Sequence, residues 1–144
     1  MPSLNKASLS LGSNTGDSIA TLRAALGQLE PHFNDFRCSA VYKTKAMYKE
    51  DQPDFYNMVC QGFWRGSAEE LLQLCQGIEA NLGRNRLLEE AKGPRSLDID
   101  IVLLGDTHIA KKHLLIPHIG LLERAFVLVP LLAIDPDIRY PLDG

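Results

Sequence analysis

The segment Ser96-Leu-Asp98-Ile-Asp100-Ile-Val-Leu-Leu104 limits what this chain can fold into more than any other. Its alternation suits a strand with Leu97, Ile99, Ile101 and Leu103 on a core face and Asp98 and Asp100 together on the opposite one. Side chains two apart on a strand lie about 7 Å from each other. Two carboxylates in the middle of an apolar strand repel unless something positive stands between them. A hard divalent cation with oxygen ligands, Mg²⁺ above all, relieves the repulsion and keeps positions for water or phosphate. Solvation on an open sheet face, or pairing with arginines, would relieve it as well. The fold must therefore bury one side of this strand and leave the other reachable.

The other elements can be placed around it. Ala7-Ser-Leu-Ser-Leu11 alternates strictly and predicts a strand; Gly12-Ser-Asn-Thr-Gly16 breaks it with turn formers. Asp17 is a natural N-cap for a helix with Ile19, Leu22, Leu26 and Leu29 on one stripe, ended by Pro31. Strands are expected over about 36–44 and 56–64, separated by a polar loop from Lys45 to Asp54. Ser67 and Glu70 form a capping-box signature. The helix it opens carries Leu71, Leu74, Cys75, Ile78 and Leu82, with Gly83 as C-cap. Arg84 to Pro94 lacks periodicity and reads as a mobile loop. Gly105-Asp106 predicts a hairpin turn, Leu114–Pro117 is extended, and a last helix runs from Glu123 to Ile134, bent or split by Pro130. The resulting order β-α-β-β-α-β predicts an α+β, ferredoxin-like fold, a mostly antiparallel sheet with helices packed on it. Fold alone names no function.

Composition removes several classes. With 144 residues the chain has room for one domain, expected to span 1–144. The longest nearly unbroken apolar stretch is Ala125 to Ile134, half of the roughly 20 residues a bilayer span needs, and the N-terminus lacks the apolar run of a signal peptide. Fifteen basic residues against 18 acidic ones give a net charge of −3, which argues against a general nucleic-acid binder. The expectation is a cytoplasmic protein with neither membrane nor nucleic acid as partner. Cys38, Cys60 and Cys75 are scattered, with no CxxC; they read as small buried hydrophobes rather than disulfides or a zinc site.

Chemistry concentrates around the carboxylate pair. Arg95 stands three residues before Asp98, and Arg84, Arg86 and Lys92 lie in the preceding loop. Guanidinium groups grip phosphate oxygens bidentately, so arginines beside two carboxylates suggest a polyphosphate carried with its metal. A solvated charged loop is the plainer reading of Arg86 and Lys92. A second constellation is Asp51-Gln-Pro-Asp-Phe55-Tyr-Asn57. The Asn57 amide offers donor and acceptor together, matching the edge of a heterocycle, and Phe55 shares its strand face for stacking. Phe126 could form the opposite wall or belong to the core. His118, ending an extended run, is catalytic or structural. The Gly12–Gly16 turn is neither Walker A nor GxGxxG and receives no catalytic role.

These residues occur in one order: Leu11-Gly-Ser-Asn14; Ser39-x-x-Tyr42-x-Thr44; Asp51-Gln-Pro-Asp-Phe-x-Asn57; Glu79-x-x-x-Gly-Arg84-x-Arg86; Gly93-Pro-Arg95-x-Leu-Asp98-x-Asp100; Ile116-Pro-His118; and Arg124-x-Phe126-Val-Leu. As a set they resemble the 6-hydroxymethyl-7,8-dihydropterin pyrophosphokinases of folate biosynthesis, over about residues 8–140. The resemblance implies a ferredoxin-like fold, two Mg²⁺ ions, and transfer of pyrophosphate from ATP to the pterin's hydroxymethyl oxygen with AMP leaving. It further implies Asp98 and Asp100 as metal ligands, with Arg84 and Arg95 stabilising the transferring charge. Gln76, Arg84, Arg95, His118 and Arg124 would bind ATP. Thr44, Met47, Phe55, Asn57 and Phe126 would bind the pterin, and Glu79 would line the same regions. The partners implied are the two small-molecule substrates, with the chain acting as a monomer or joined to other folate enzymes.

Lys45-Ala46, Lys92, Ile119, His113 and Leu115 depart from the family pattern, touching loop closure and adenine contacts more than the reacting centre. Against that pattern the chain also stops early, at Tyr140-Pro-Leu-Asp-Gly144, as if a C-terminal tail were trimmed. A non-catalytic ferredoxin-like module that binds a small ligand is the alternative from another class; it needs no metal.

Overall fold

The computed structural model describes residues 4–14, 17–44, 54–82, 97–118 and 124–141. In chain order it contains strand β1 (Leu4–Ser13), helix α1 (Ser18–Leu29), a 3₁₀ turn (Glu30–His32), β2 (Asn34–Cys38), β3 (Tyr42–Thr44), β4 (Phe55–Arg65), α2 (Ala68–Asn81), β5 (Asp98–Leu104), β6 (Ile109–Lys111), β7 (Leu114–Ile116) and α3 (Ala125–Ile134). The main sheet runs β2-β4-β1-β5, with β3 also on β4. Its pairings are antiparallel. Counting β2 and β3 as one interrupted strand, this is the expected ferredoxin-like β-α-β-β-α-β arrangement.

The interruption has a local cause. Ser39 donates its amide to the Val59 carbonyl at 2.8 Å, while the Val59 amide donates to the Ser39 hydroxyl at 3.0 Å. A side chain has replaced a backbone carbonyl in the ladder, so the strand expected over 36–44 becomes two. Cys38, at the end of β2, is exposed, unlike buried Cys60 and Cys75; the buried reading holds for two cysteines of the three.

One face of the sheet packs on α1 and α2. Leu9 and Leu11 from β1, Met58 and Cys60 from β4, and Ile99 and Ile101 from β5 meet Leu22, Leu29, Leu71, Cys75 and Ile78. Each fully buried leucine stabilises the fold by roughly 1.5–3 kcal/mol. Asp17 caps α1 by accepting from the Ala20 amide at 3.1 Å, and the capping box of α2 is complete between Ser67 and Glu70. The backbone hydrogen bond from Ser67 holds the Glu70 carboxyl below its usual range. In α1 the buried stripe is Ser18, Leu22, Ala25 and Leu29, whereas Ile19 is exposed. Ser18 and Ala25 are the small members of that stripe, and the Ser18 hydroxyl meets Ser13 Oγ of β1 at 3.1 Å. The helix stops at Leu29, and Pro31 sits in the 3₁₀ turn that follows.

The opposite face packs on α3 through Val59, Val102, Leu103, Val127 and Leu131. Alternation predicts Leu103 on the same face as Ile99 and Ile101. Instead β5 carries an irregularity: Leu9 pairs with Ile101 but Ser8 with Leu103, leaving Val102 as the extra residue. Val102 and Leu103 therefore both join the α3 cluster, and Leu104 joins the core on the α1/α2 face. The Gly105 turn forms, with φ +53° and Thr107 N–H donating to the Leu104 carbonyl. It closes no hairpin with β5, which pairs with β1, while β6 pairs with β7. Helix α3 begins at Ala125 and continues through Pro130 as a single run.

A polar network fixes the C-terminal end of α3. Asp135 Oδ2 accepts from Lys6 Nζ at 2.8 Å and from Gln61 Nε2 at 3.1 Å. Gln61 Nε2 also reaches Ser8 Oγ at 2.9 Å, and Arg37 donates to Gln61 Oε1. Burial pushes the Asp135 carboxyl up, but the hydrogen bonds from Lys6 and Gln61 and the charges of Lys6 and Arg37 outweigh it, leaving it below its usual value. With one end tied to β1, β2 and β4, the other end of α3 is held over the sheet. Among the described residues no helix is long and apolar enough to cross a membrane.

Candidate active site

Register builds the site. Gly12, in the central strand β1, pairs with Asn57 on β4 and with Asp98 on β5; Ser10 pairs with Val59 and with Asp100. Directly paired residues point to the same side of a sheet. Asn57, Asp98 and Asp100 therefore share the α3 face, away from the α1/α2 core. Neighbouring strands are about 4.8 Å apart, so Asn57 and Asp98 stand roughly 10 Å apart across Gly12. A Cβ on Gly12 would lie 3.0 Å from Asn57 Oδ1; glycine leaves the floor between them open.

The Asn57 end is ordered from within. Asn57 is buried, and its Nδ2 donates to Thr44 Oγ1 at 2.8 Å. This bond orients the amide and joins two residues that the sequence had linked only through the family resemblance. Phe55 lies two residues away, on the same face of β4. Phe126 is half-buried, packs against the α3-face core, and has the Arg124 guanidinium 5.7 Å from its ring centroid. It is thus both a core aromatic and a neighbour of this face.

At the other end, Asp98 and Asp100 are partly exposed on β5. His118 Nε2 stands 3.7 Å from Asp100 Oδ2, while its backbone amide donates to the Val102 carbonyl at 3.0 Å. The second contact makes the segment after β7 an outer neighbour of β5 and brings the imidazole to the carboxylate. A cleft of about 290 Å³ opens here, lined by Gln76, Glu79, Asp100, Lys112, His113 and His118 over an apolar floor that includes Leu72, Ile101 and Leu114. A narrower crevice connects Asp100 and His118 to Arg124 and Ser10. One wall of the cleft is the β6–β7 hairpin, tied to α2 where His113 Nε2 meets both Glu69 oxygens at 3.1 Å and Lys111 reaches Oε1 at 3.4 Å. The hydrogen bond from His113 is the main cause that lowers the Glu69 pKa.

The donor set suits a hard cation. Among the described residues no three His, Cys, Asp or Glu side chains converge as a metal cluster. Asp98 and Asp100 present two partly exposed carboxylates on one strand face, the oxygen-donor type that a hard cation takes while keeping water or phosphate in its other positions. Burial, helped by the charges of Glu79 and Asp100, pushes the Cys75 thiol up to about 12.

Of the residues singled out in the sequence, Gln76, Glu79, Asp100 and His118 come together in the cleft, and Arg124 adjoins them. Asn57 and Asp98 share the neighbouring row, and Thr44, opposite Phe55, joins it through its hydrogen bond with Asn57. Arg84, Arg86, Lys92, Arg95, Met47 and Gly83 lie outside the described residues. Two features escaped the sequence reading: the place of Gly12 between the two ends, and the contact of Glu79 with β5, where its Oε2 accepts from the Ile99 amide at 2.8 Å. A glutamate adjoining the apolar stripe of α2 was the available signal for the second; the first needed the strand register.

Residues 8–136 match the family model of 7,8-dihydro-6-hydroxymethylpterin-pyrophosphokinase. The chain is 44% identical over 135 residues to the folic acid synthesis protein fol1 of Schizosaccharomyces pombe, covering 92% of this chain but 18% of that protein. It is 40% identical to the 2-amino-4-hydroxy-6-hydroxymethyldihydropteridine pyrophosphokinase of Bacillus subtilis, covering 94% of this chain and 81% of the relative. The chain therefore spans less than a fifth of its fungal relative and most of its bacterial one. Among solved structures, wild-type Plasmodium falciparum HPPK-DHPS superposes with a TM-score of 0.70 at 15% identity, covering 91% of this chain and 40% of that one. That likeness bears on the fold alone.

Proposed function

Because this chain belongs to the 7,8-dihydro-6-hydroxymethylpterin-pyrophosphokinase family, we propose that it transfers pyrophosphate from ATP to 6-hydroxymethyl-7,8-dihydropterin. In the proposed reaction the hydroxymethyl oxygen attacks the β-phosphorus, the bond to the α-phosphate oxygen breaks, and AMP leaves. The products are AMP, the pterin diphosphate and one proton.

The observation that carries this reading is the row Asn57–Gly12–Asp98, with Asp100 one step along β5. A heterocycle-edge reader and a carboxylate pair stand on one face, close enough for one small substrate to span them. Asn57, oriented by Thr44, would read the pterin edge, with Phe55 and Phe126 at its ring and Met47 as a further contact. Asp98 and Asp100 would hold Mg²⁺, expected as two ions carried with ATP, which supplies neutralisation of the phosphate charge. Gln76, His118 and Arg124 would contact the nucleotide from the cleft and crevice, and Arg84 and Arg95 would grip the phosphates. Transfer of this kind asks a protein mainly to position reactants and stabilise charge, so a covalent nucleophile is unnecessary. The substrates are the partners proposed, with the chain working as a monomer or within a larger folate enzyme.

Calorimetric titration with a non-hydrolysable ATP analogue, with and without Mg²⁺, tests the reading. Nucleotide binding that requires the metal is expected. Binding of a small ligand indifferent to metal, with no affinity for nucleotide, would favour a non-catalytic ferredoxin-like module instead.

A further inference from the structure

We infer that Glu79 is a positioning residue for the carboxylate pair, acting through the backbone of β5; the inference rests on the reading of Asp98 and Asp100 given above. Strand β5 is an edge of the main sheet, paired in it with β1. Alternate amides of an antiparallel strand point to opposite sides, so an edge strand turns every second N–H away from its sheet. At Ile99, between the two aspartates, that amide donates to Glu79 Oε2 at 2.8 Å. Both residues are buried, Glu79 at 3% exposure and Ile99 at 6%. A short hydrogen bond to a carboxylate shielded from water belongs to the stronger class.

Packing alone does not call for a carboxylate here. Glu79 follows Ile78 on the buried side of α2, where a leucine or methionine would fill the space without the cost of burying a polar group. What glutamate adds is an acceptor on a firm post. Its helix is locked by the Ser67–Glu70 capping box and by Leu71, Cys75 and Ile78 in the core. The post fixes the one peptide whose neighbours on both sides must stay aligned although their charges repel.

Two measurements on wild type, Glu79→Ala, Glu79→Gln and the core control Leu71→Ala test this. The first is amide hydrogen exchange at Ile99 in metal-free protein, and the second is Mg²⁺-dependent affinity for a non-hydrolysable ATP analogue. In Glu79→Ala, Ile99 exchange should accelerate roughly tenfold to a hundredfold beyond any change in global stability, with nucleotide affinity falling at least about tenfold. Glu79→Gln keeps an oxygen acceptor and should hold both values within about threefold. Leu71→Ala should lose stability with metal-dependent affinity unmoved. Wild-type behaviour of Glu79→Ala in both measurements overturns the inference. So does loss of affinity in Glu79→Gln with Ile99 still protected, which would make charge the operative property and decides the matter if the alanine variant does not fold. A wild type that binds no nucleotide with Mg²⁺ overturns the reading of the site itself, a failure distinct from these.

Discussion

Asn57 and Asp98 stand on either side of Gly12 in one cross-strand row, facing the same side of the sheet. The row brings two separate sequence motifs onto one face of the sheet. Its span, roughly 10 Å from strand spacing, suits a bicyclic ring lying along β4 and β1 with its substituent reaching β5. The open floor depends on Gly12, where a Cβ would come to 3.0 Å from Asn57 Oδ1.

Gly12→Ala should therefore raise the KM for the pterin more than the KM for ATP. The added methyl must displace the Asn57 amide by a few tenths of an ångström, with a stability loss of about 1 kcal/mol. Steady-state kinetics with each substrate varied in turn checks this; equal effects on both KM values would contradict the floor role.

The Thr44–Asn57 bond makes a narrower prediction. Thr44→Val keeps the shape and removes the acceptor for Asn57 Nδ2, freeing the amide to turn. Pterin affinity should fall about tenfold, the worth of one well-placed hydrogen bond, while nucleotide affinity stays put. Fluorescence titration of the pterin would read it.

Asp98→Ala separates chemistry from folding. Removing one of two repelling carboxylates should leave the thermal stability of the metal-free protein within about 0.5 kcal/mol of wild type. Turnover should drop a hundredfold or more, on the order seen when a transition-state electrostatic contact is lost. Unchanged turnover would contradict the metal-holding role.

The Asp135 network predicts an acid dependence of stability. Its folded pKa lies below the ordinary value of 3.8, so the stabilisation is fully present above that value and is lost as pH falls through the lower folded pKa. Asp135→Asn should thus be less stable than wild type at neutral pH by about 1–3 kcal/mol. The two should converge under strongly acid conditions. Urea unfolding from pH 2 to 7 tests the sign: a gap that widens toward low pH would be wrong for a depressed carboxyl.

Much of this architecture is legible in the sequence because periodicity and caps act locally. The Ser67–Glu70 box, the Asp17 cap and the alternation in β1 each specify their element without help from distant residues. What escaped depends on long-range register or on a single substituted bond. The Ser39 hydroxyl splits a strand that propensity would continue, and the extra residue at Val102 sends Leu103 to the face opposite the one its alternation predicts. The same holds for the site. Asp98, Asp100 and Asn57 stand out by residue type, but that they share a face across Gly12 follows only from pairing. Glu79 shows the limit most clearly, since a stripe pattern cannot say which distant amide a buried carboxylate will meet.

The central claim is a reaction, and product analysis tests it most directly. Incubated with ATP, Mg²⁺ and 6-hydroxymethyl-7,8-dihydropterin, the protein should form AMP and the pterin diphosphate in equal amounts, with neither appearing when the pterin or Mg²⁺ is omitted. Formation of ADP in place of AMP, or no AMP at all, would contradict the account.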